Sequence, residues 1–146
     1  MKIKLFFISF LILTITVGAT EEFFTLSKAT ISSQQINSIE KAILFFWTTW
    51  CPYCRIQIET FRDLQYQLTT EGVKSFFVNL GESKEKVRRF KERLKIKSPV
   101  ILDKKGLLAY KYRIVGIPTY IFLKKGKEIG RTNYITKLVV EKLYGE

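Results

Sequence analysis

The sequence predicts an α/β fold, and three consecutive runs carry that prediction. Ala42 to Thr48 is apolar with no internal charge, as expected of a strand covered on both faces. Arg55 to Thr70 places Ile56, Phe61, Leu64 and Leu68 at helical spacing, and Gly72 follows as a stop. Val73 to Leu80 is a second buried strand, centred on Phe76, Phe77 and Val78. Two such strands joined by a helix make a right-handed parallel unit.

The other elements follow in chain order. Glu22 to Ser38 is polar and mixed, with Phe23, Phe24, Leu26 and Ile31 as anchors. It reads as a short extended segment, then a helical turn near Gln34 to Lys41. Ser83 caps the helix after the second strand. Val87, Phe90 and Leu94 form that helix's apolar stripe, and its other faces carry eight basic residues between Lys84 and Lys97. Those charges read either as a solvated face or as a docking surface for an acidic partner or anionic lipid. Ser98-Pro99 ends the helix, and Val100 to Leu102 is a short strand leading to Asp103. Leu107 to Arg113 reads as a short helix and Ile117 to Leu123 as a strand. Lys124-Lys125-Gly126-Lys127 is a hairpin turn, with Glu128 to Arg131 as the partner strand. Ile135 to Tyr144 closes the chain as a helix with Leu138, Val139 and Leu143 inside.

A chain of 146 residues with 47% hydrophobic residues forms one domain with an ordinary core. The expected boundaries are 1–19 for an N-terminal signal segment and 20–146 for the domain. Lys2 and Lys4 precede the apolar run Leu5 to Val17, and Val17-Gly18-Ala19 resembles a small-residue cleavage site. A helix of about thirteen apolar residues reaches roughly 20 Å. The hydrocarbon core of a bilayer is about 30 Å thick. A cleaved signal peptide and a retained membrane anchor are the two readings. Both place the domain outside the cytoplasm, periplasmic or membrane-associated. No cysteine follows Ala19, which argues against a lipoprotein. The net charge of +12 favours anionic surfaces or acidic partners without selecting among them. Nucleic acid is a poor fit to an exported chain without aromatics interleaved on its basic helix.

The only two cysteines, Cys51 and Cys54, sit where the first strand hands over to the helix. Exported cysteines usually form structural disulfides. This pair closes a very short loop, which restricts the unfolded chain little and so stabilises little. A structural zinc site needs about four ligands, and the chain has no histidine and no third cysteine. Covalent haem attachment needs a histidine after the second cysteine, where Arg55 stands. Reversible dithiol–disulfide chemistry remains, with no metal and no cofactor beyond the pair. Free N–H groups and the dipole at a helix start favour a thiolate on Cys51. The thiolate is the attacking species in exchange. Cys51 is therefore the expected nucleophile and Cys54, one turn deeper, the resolving thiol. Pro52 suits the first helical turn, and Trp50 is expected either to cover the pair or simply to pack. Pro118, in Gly116-Ile117-Pro118-Thr119, opens a strand, where a proline is tolerated. A cis bond there would turn Ile117 toward the cysteines, although X–Pro bonds are cis in only about 5–6% of cases.

Trp50-Cys51-Pro52-Tyr53-Cys54 at a strand–helix junction, with Gly116 to Thr119 later, resembles the thioredoxin superfamily. Val78 to Ser83, Pro99 to Asp103 and Gly116 to Leu123 followed by Lys125-Gly126 resemble its exported ResA/TlpA-type thiol–disulfide oxidoreductases. The resemblance runs from about Phe23 to the end. It implies the thioredoxin fold, a central mixed β-sheet flanked by helices, with cis Pro118 and exchange through Cys51 and Cys54. It also implies disulfide reduction in exported proteins, apocytochrome c among them, with electrons from a membrane thiol donor.

Two departures bear on mechanism. The subgroup's glutamate three residues after the second cysteine is Gln57 here, which cannot accept a proton. Glu82 is the substitute for tuning the thiols, or else only a helix-start acid favoured by the dipole. Thioredoxin's buried acid, six residues before the first cysteine, is Phe45. The second departure is Pro52-Tyr53 between the cysteines, a dipeptide that also occurs in glutaredoxins. A glutaredoxin-like use of glutathione is a weaker option, since the basic surface could hold an acidic tripeptide but carries no specific motif for it. The rivals are an oxidase or isomerase of exported proteins, and a non-catalytic binding module or chaperone on the same scaffold.

Overall fold

The computed structural model describes residues 21–145. The expected signal segment or anchor, residues 1–19, lies outside the described residues. Glu22–Phe24 (β1) and Thr30–Ser32 (β2) pair antiparallel as a small ribbon, followed by the short helix Ser33–Asn37 (α1). Ser32 caps α1 with a reciprocal box: its hydroxyl accepts the Gln35 N–H, while the Gln35 side chain accepts the Ser32 N–H. Lys41–Trp47 (β3), Pro52–Thr70 (α2) and Val73–Leu80 (β4) form the predicted parallel unit. Lys84–Arg93 (α3), Val100–Asp103 (β5), Leu107–Lys111 (α4), Thr119–Lys124 (β6), Lys127–Thr132 (β7) and Lys137–Tyr144 (α5) complete the chain.

The main sheet has five strands in the order β5-β4-β3-β6-β7. β3 is parallel to β4 and antiparallel to β6, so the sheet is mixed. β3 lies at its centre, which explains its unbroken apolar run. Ile43, Phe45 and Trp47 point to one face and pack with α2, α3 and α5. Ala42, Leu44 and Phe46 point to the other, against Ile36, Leu108 and Tyr112. Phe45 stacks on Tyr120 at 4.4 Å, and Phe77 meets Phe61 edge-on at 5.1 Å. Aromatic side chains thus join α2 to β3, β4 and β6 beneath the cysteines.

The hairpin turn takes positive φ at both Lys125 and Gly126, as the tight two-residue turn requires. A side chain at Gly126 would strike Asn37, with a Cβ only 2.8 Å from its Cβ. The β6–β7 register slips between Phe122 and Leu123. There the buried Tyr144 hydroxyl accepts the Leu123 N–H at 3.2 Å and donates to the Ala42 carbonyl at 2.5 Å.

Two helical phases differ from expectation. Ile56 is 58% exposed, and α2 buries Cys54, Ile58, Phe61 and Leu68 instead. Leu138 is 74% exposed, and α5 buries Val140 and Tyr144, with Val139 and Leu143 partly buried. In both helices the misplaced residue stands two positions from the true one. Two residues are about 200° around a helix, so the error swaps the wet face for the dry one. Phe24 is also exposed, whereas Phe23 and Leu26 anchor the ribbon as expected.

Candidate active site

Cys51 is the N-cap of α2, and Pro52 occupies its first turn. Proline fits because the first helical N–H groups have no intrahelical acceptor. The Cys51 Sγ accepts the Cys54 N–H at 3.1 Å, so a helix-start donor points at the sulfur. Cys51 and Cys54 are joined as a disulfide. Cys54 is fully buried and Cys51 is 4% exposed. Trp50 and Tyr53 project from the same loop and first turn, 65% and 73% exposed.

The Ile117–Pro118 bond is cis. Ile117 packs against the core cluster that contains both cysteines. Ile117 and Pro118 also line a groove of about 580 Å³ together with Tyr53, Ile56, Gln57 and Tyr134. The proline turn and the CxxC helix therefore share one surface feature.

Glu82, almost fully buried, accepts the Thr49 N–H at 2.7 Å, the Thr49 hydroxyl at 2.6 Å and the Asn79 amide at 2.8 Å. Lys86 pairs with it at 2.7 Å. Burial alone would raise its pKa. The hydrogen bonds from Asn79, Lys86 and Thr49 outweigh burial and hold it below the usual carboxylate value. Glu82 is thus an ionised anchor for the loop that presents Cys51. Gln57 is likewise committed: its side-chain oxygen accepts the Ile135 N–H at 2.8 Å, tying α2 to the start of α5. Its own carbonyl accepts the buried Tyr120 hydroxyl at 3.3 Å. Arg55 donates to the Thr49 carbonyl at 3.2 Å and lies over the Phe90 ring. The sequence reading missed Thr49, Asn79 and Lys86 as partners of Glu82. The Asn79 and Lys86 spacings are local, but Thr49 stands 33 residues away and carries no sequence signal. Among the described residues no three potential metal-ligating side chains converge.

A cysteine pair at a helix start, beside a cis-proline turn on a five-stranded mixed sheet, defines a thioredoxin-fold dithiol–disulfide protein. The chain belongs to the AhpC/TSA family, whose profile matches residues 17–132. It is 36% identical over 99 residues to sporulation thiol-disulfide oxidoreductase A of Bacillus subtilis, covering 66% of this chain and 60% of that protein. It is 26% identical over 132 residues to the thiol-disulfide oxidoreductase ResA of Geobacillus kaustophilus, covering 88% and 76%. The crystal structure of StoA from Bacillus subtilis superposes with a TM-score of 0.72 at 30% identity, covering 89% of this chain and 98% of that one.

Proposed function

We propose that this protein is an exported thiol–disulfide oxidoreductase that reduces disulfides in other exported proteins. The observation that carries the reading is the Cys51–Cys54 pair, with its outer sulfur at the helix tip and its inner sulfur enclosed. The names of its relatives support the reaction class. The basic start and apolar run before residue 20 support export.

In the reduced form the Cys51 thiolate attacks a substrate disulfide. A mixed disulfide forms, and one substrate thiolate leaves. Cys54 then attacks the Cys51 sulfur, expelling the second substrate thiolate and closing the Cys51–Cys54 bond. Two electrons pass to the substrate. The departing thiolate takes the Cys54 proton, because Gln57 is not basic and the hydrogen bonds that occupy the Glu82 oxygens lower that carboxylate's affinity for a proton. A membrane thiol donor restores the dithiol by the same exchange in reverse. Apocytochrome c, whose haem-binding cysteines must be reduced, is the substrate class the ResA-type resemblance favours. Glu82 and Gln57 act as positioning residues, the first through Thr49 and the second through Ile135. Tyr53, Trp50, Ile117 and Pro118 form the surface that meets the substrate.

The pair's reduction potential tests the direction. Dithiol proteins span about −270 to −120 mV, and 30 mV is worth about 1.4 kcal/mol. A potential in the lower part of that range supports a reductase. A value near −120 mV would make the protein an oxidase and overturn the reductase reading.

A further inference from the structure

A second surface feature is walled in part by Trp50 and Arg55, the residues on either side of the cysteine pair in the chain. A cleft of about 380 Å³ is lined by Trp50, Arg55, Lys86, Arg89, Phe90 and Arg93, and shares no lining residue with the proline-side groove. Its walls come from the loop before Cys51, the first turn of α2 and one face of α3. Lys86, Arg89, Phe90 and Arg93 fall at helical spacing on that face. Arg55 and Arg93 both lie over the Phe90 ring, at 5.5 and 5.3 Å, so packing orients the two guanidinium groups. Lys86 is neutralised by Glu82. Among the described residues no carboxylate lies within ion-pair distance of Arg55, Arg89 or Arg93. Three uncompensated guanidinium groups and an exposed indole thus line a cleft whose walls include Trp50 and Arg55, the residues that flank the cysteine pair in the chain.

We propose that this cleft selects substrate polypeptides carrying acidic residues next to the cysteine under attack. The inference rests on the exchange reading above and adds the substrate's chemistry to it. Planar guanidinium groups bind carboxylates bidentately and resist deprotonation. Trp50 supplies an apolar platform for the chain between the acid and the cysteine. The acidic flank is drawn in before the sulfurs meet, so the charge acts on the rate of mixed-disulfide formation. The solvated-face reading of α3 holds for its outer side, and the selecting face is the one turned to Trp50.

The test uses the reduced protein and synthetic peptides that each contain one disulfide. The peptides differ only in two flanking residues, Asp-Glu or Lys-Lys. Acid-quenched rapid mixing gives the rate of peptide reduction. At low salt the acidic peptide should react roughly tenfold or more faster, within the range electrostatic steering supplies. The ratio should shrink toward one at about 0.5 M salt, where screening is short-ranged. Arg89→Glu/Arg93→Glu should bring the low-salt ratio to one or below. Lys104→Glu/Lys105→Glu, the same charge change in an exposed turn after β5, should largely preserve it. Equal rates for the two peptides at low salt overturn the proposal and leave the exchange reading intact. Loss of preference in both charge-reversed proteins also overturns it, because the net field then suffices. If neither peptide is reduced, the exchange reading falls and takes the proposal with it. Should the Arg89→Glu/Arg93→Glu variant fail to fold, Arg89→Gln/Arg93→Gln takes its place: a fall in the low-salt ratio that Lys104→Gln/Lys105→Gln does not share supports the proposal, and an unchanged ratio overturns it.

Discussion

Replacing Glu82 with glutamine tests whether that carboxylate holds the loop before Cys51. The carboxylate accepts three hydrogen bonds, two from Thr49 and one from Asn79, and pairs with Lys86. Net hydrogen bonds to a charged group are worth about 1.5–3 kcal/mol each, and leaving a buried donor unpaired costs about 1–3 kcal/mol. Glutamine keeps the shape and one acceptor oxygen, but sets an NH2 where the second oxygen stood. The expected cost of Glu82→Gln at pH 7 is therefore about 1–3 kcal/mol, since the three contacts are not additive. Each kcal/mol lowers the melting temperature by roughly 2–8 °C, depending on domain size.

The pH arm follows from the lowered pKa. A depressed carboxylate pKa contributes stability that is complete above the unfolded value. That stability is lost as pH falls through the folded one. The gap between the two proteins should thus be widest near neutrality. It should narrow as pH drops below about 4.5, the ordinary value of the group. Urea unfolding of the oxidised proteins at several pH values measures it. A gap below about 0.5 kcal/mol at pH 7, the scatter of ordinary surface substitutions, would refute the anchoring role. So would a gap that stayed constant from pH 7 to pH 3.

The remaining predictions concern exchange and packing. Cys51→Ser should abolish disulfide exchange, while Cys54→Ser should accumulate mixed disulfides visible on non-reducing gels and by mass spectrometry; full exchange activity in either variant contradicts the assigned roles. Ile58→Ala should cost about 2–5 kcal/mol, whereas Ile56→Ala should stay within about 0.5 kcal/mol by the same unfolding measurement. Tyr144→Phe should cost about 1–2 kcal/mol by leaving the Leu123 N–H and Ala42 carbonyl without that hydroxyl. An unchanged denaturation midpoint would mean that other groups satisfy the slipped register.

The parts of this fold that were legible in the sequence are those governed by neighbours along the chain. β3 could be read because burial on both faces leaves no polar position from Ala42 to Trp47. The Cys51 cap and Pro52 could be read because helix starts have local chemistry. Lys125-Gly126 announced the hairpin through its backbone demands. Helix phase was less secure, because α2 and α5 carry apolar residues on more than one face. Ile56 borders the groove beside the proline turn, so its exposure serves the surface rather than the core. The cis bond at Pro118 came from the family resemblance, since spacing alone favours trans. The commitments of Glu82 and Gln57 were hidden, because Thr49 and Ile135 lie 33 and 78 residues away. Only the folded chain shows that Gln57 is a tie between helices.

The unequal enclosure of the two sulfurs makes the chemistry ordered in time. With Cys54 wholly covered and Cys51 barely accessible, a polypeptide can attach through one atom only. In the proposed exchange, release then depends on a thiol already within the same molecule, so adding more partner cannot hurry it. In a single turnover of the reduced protein, the rate of product release at high substrate concentration should level off at the speed of that internal step.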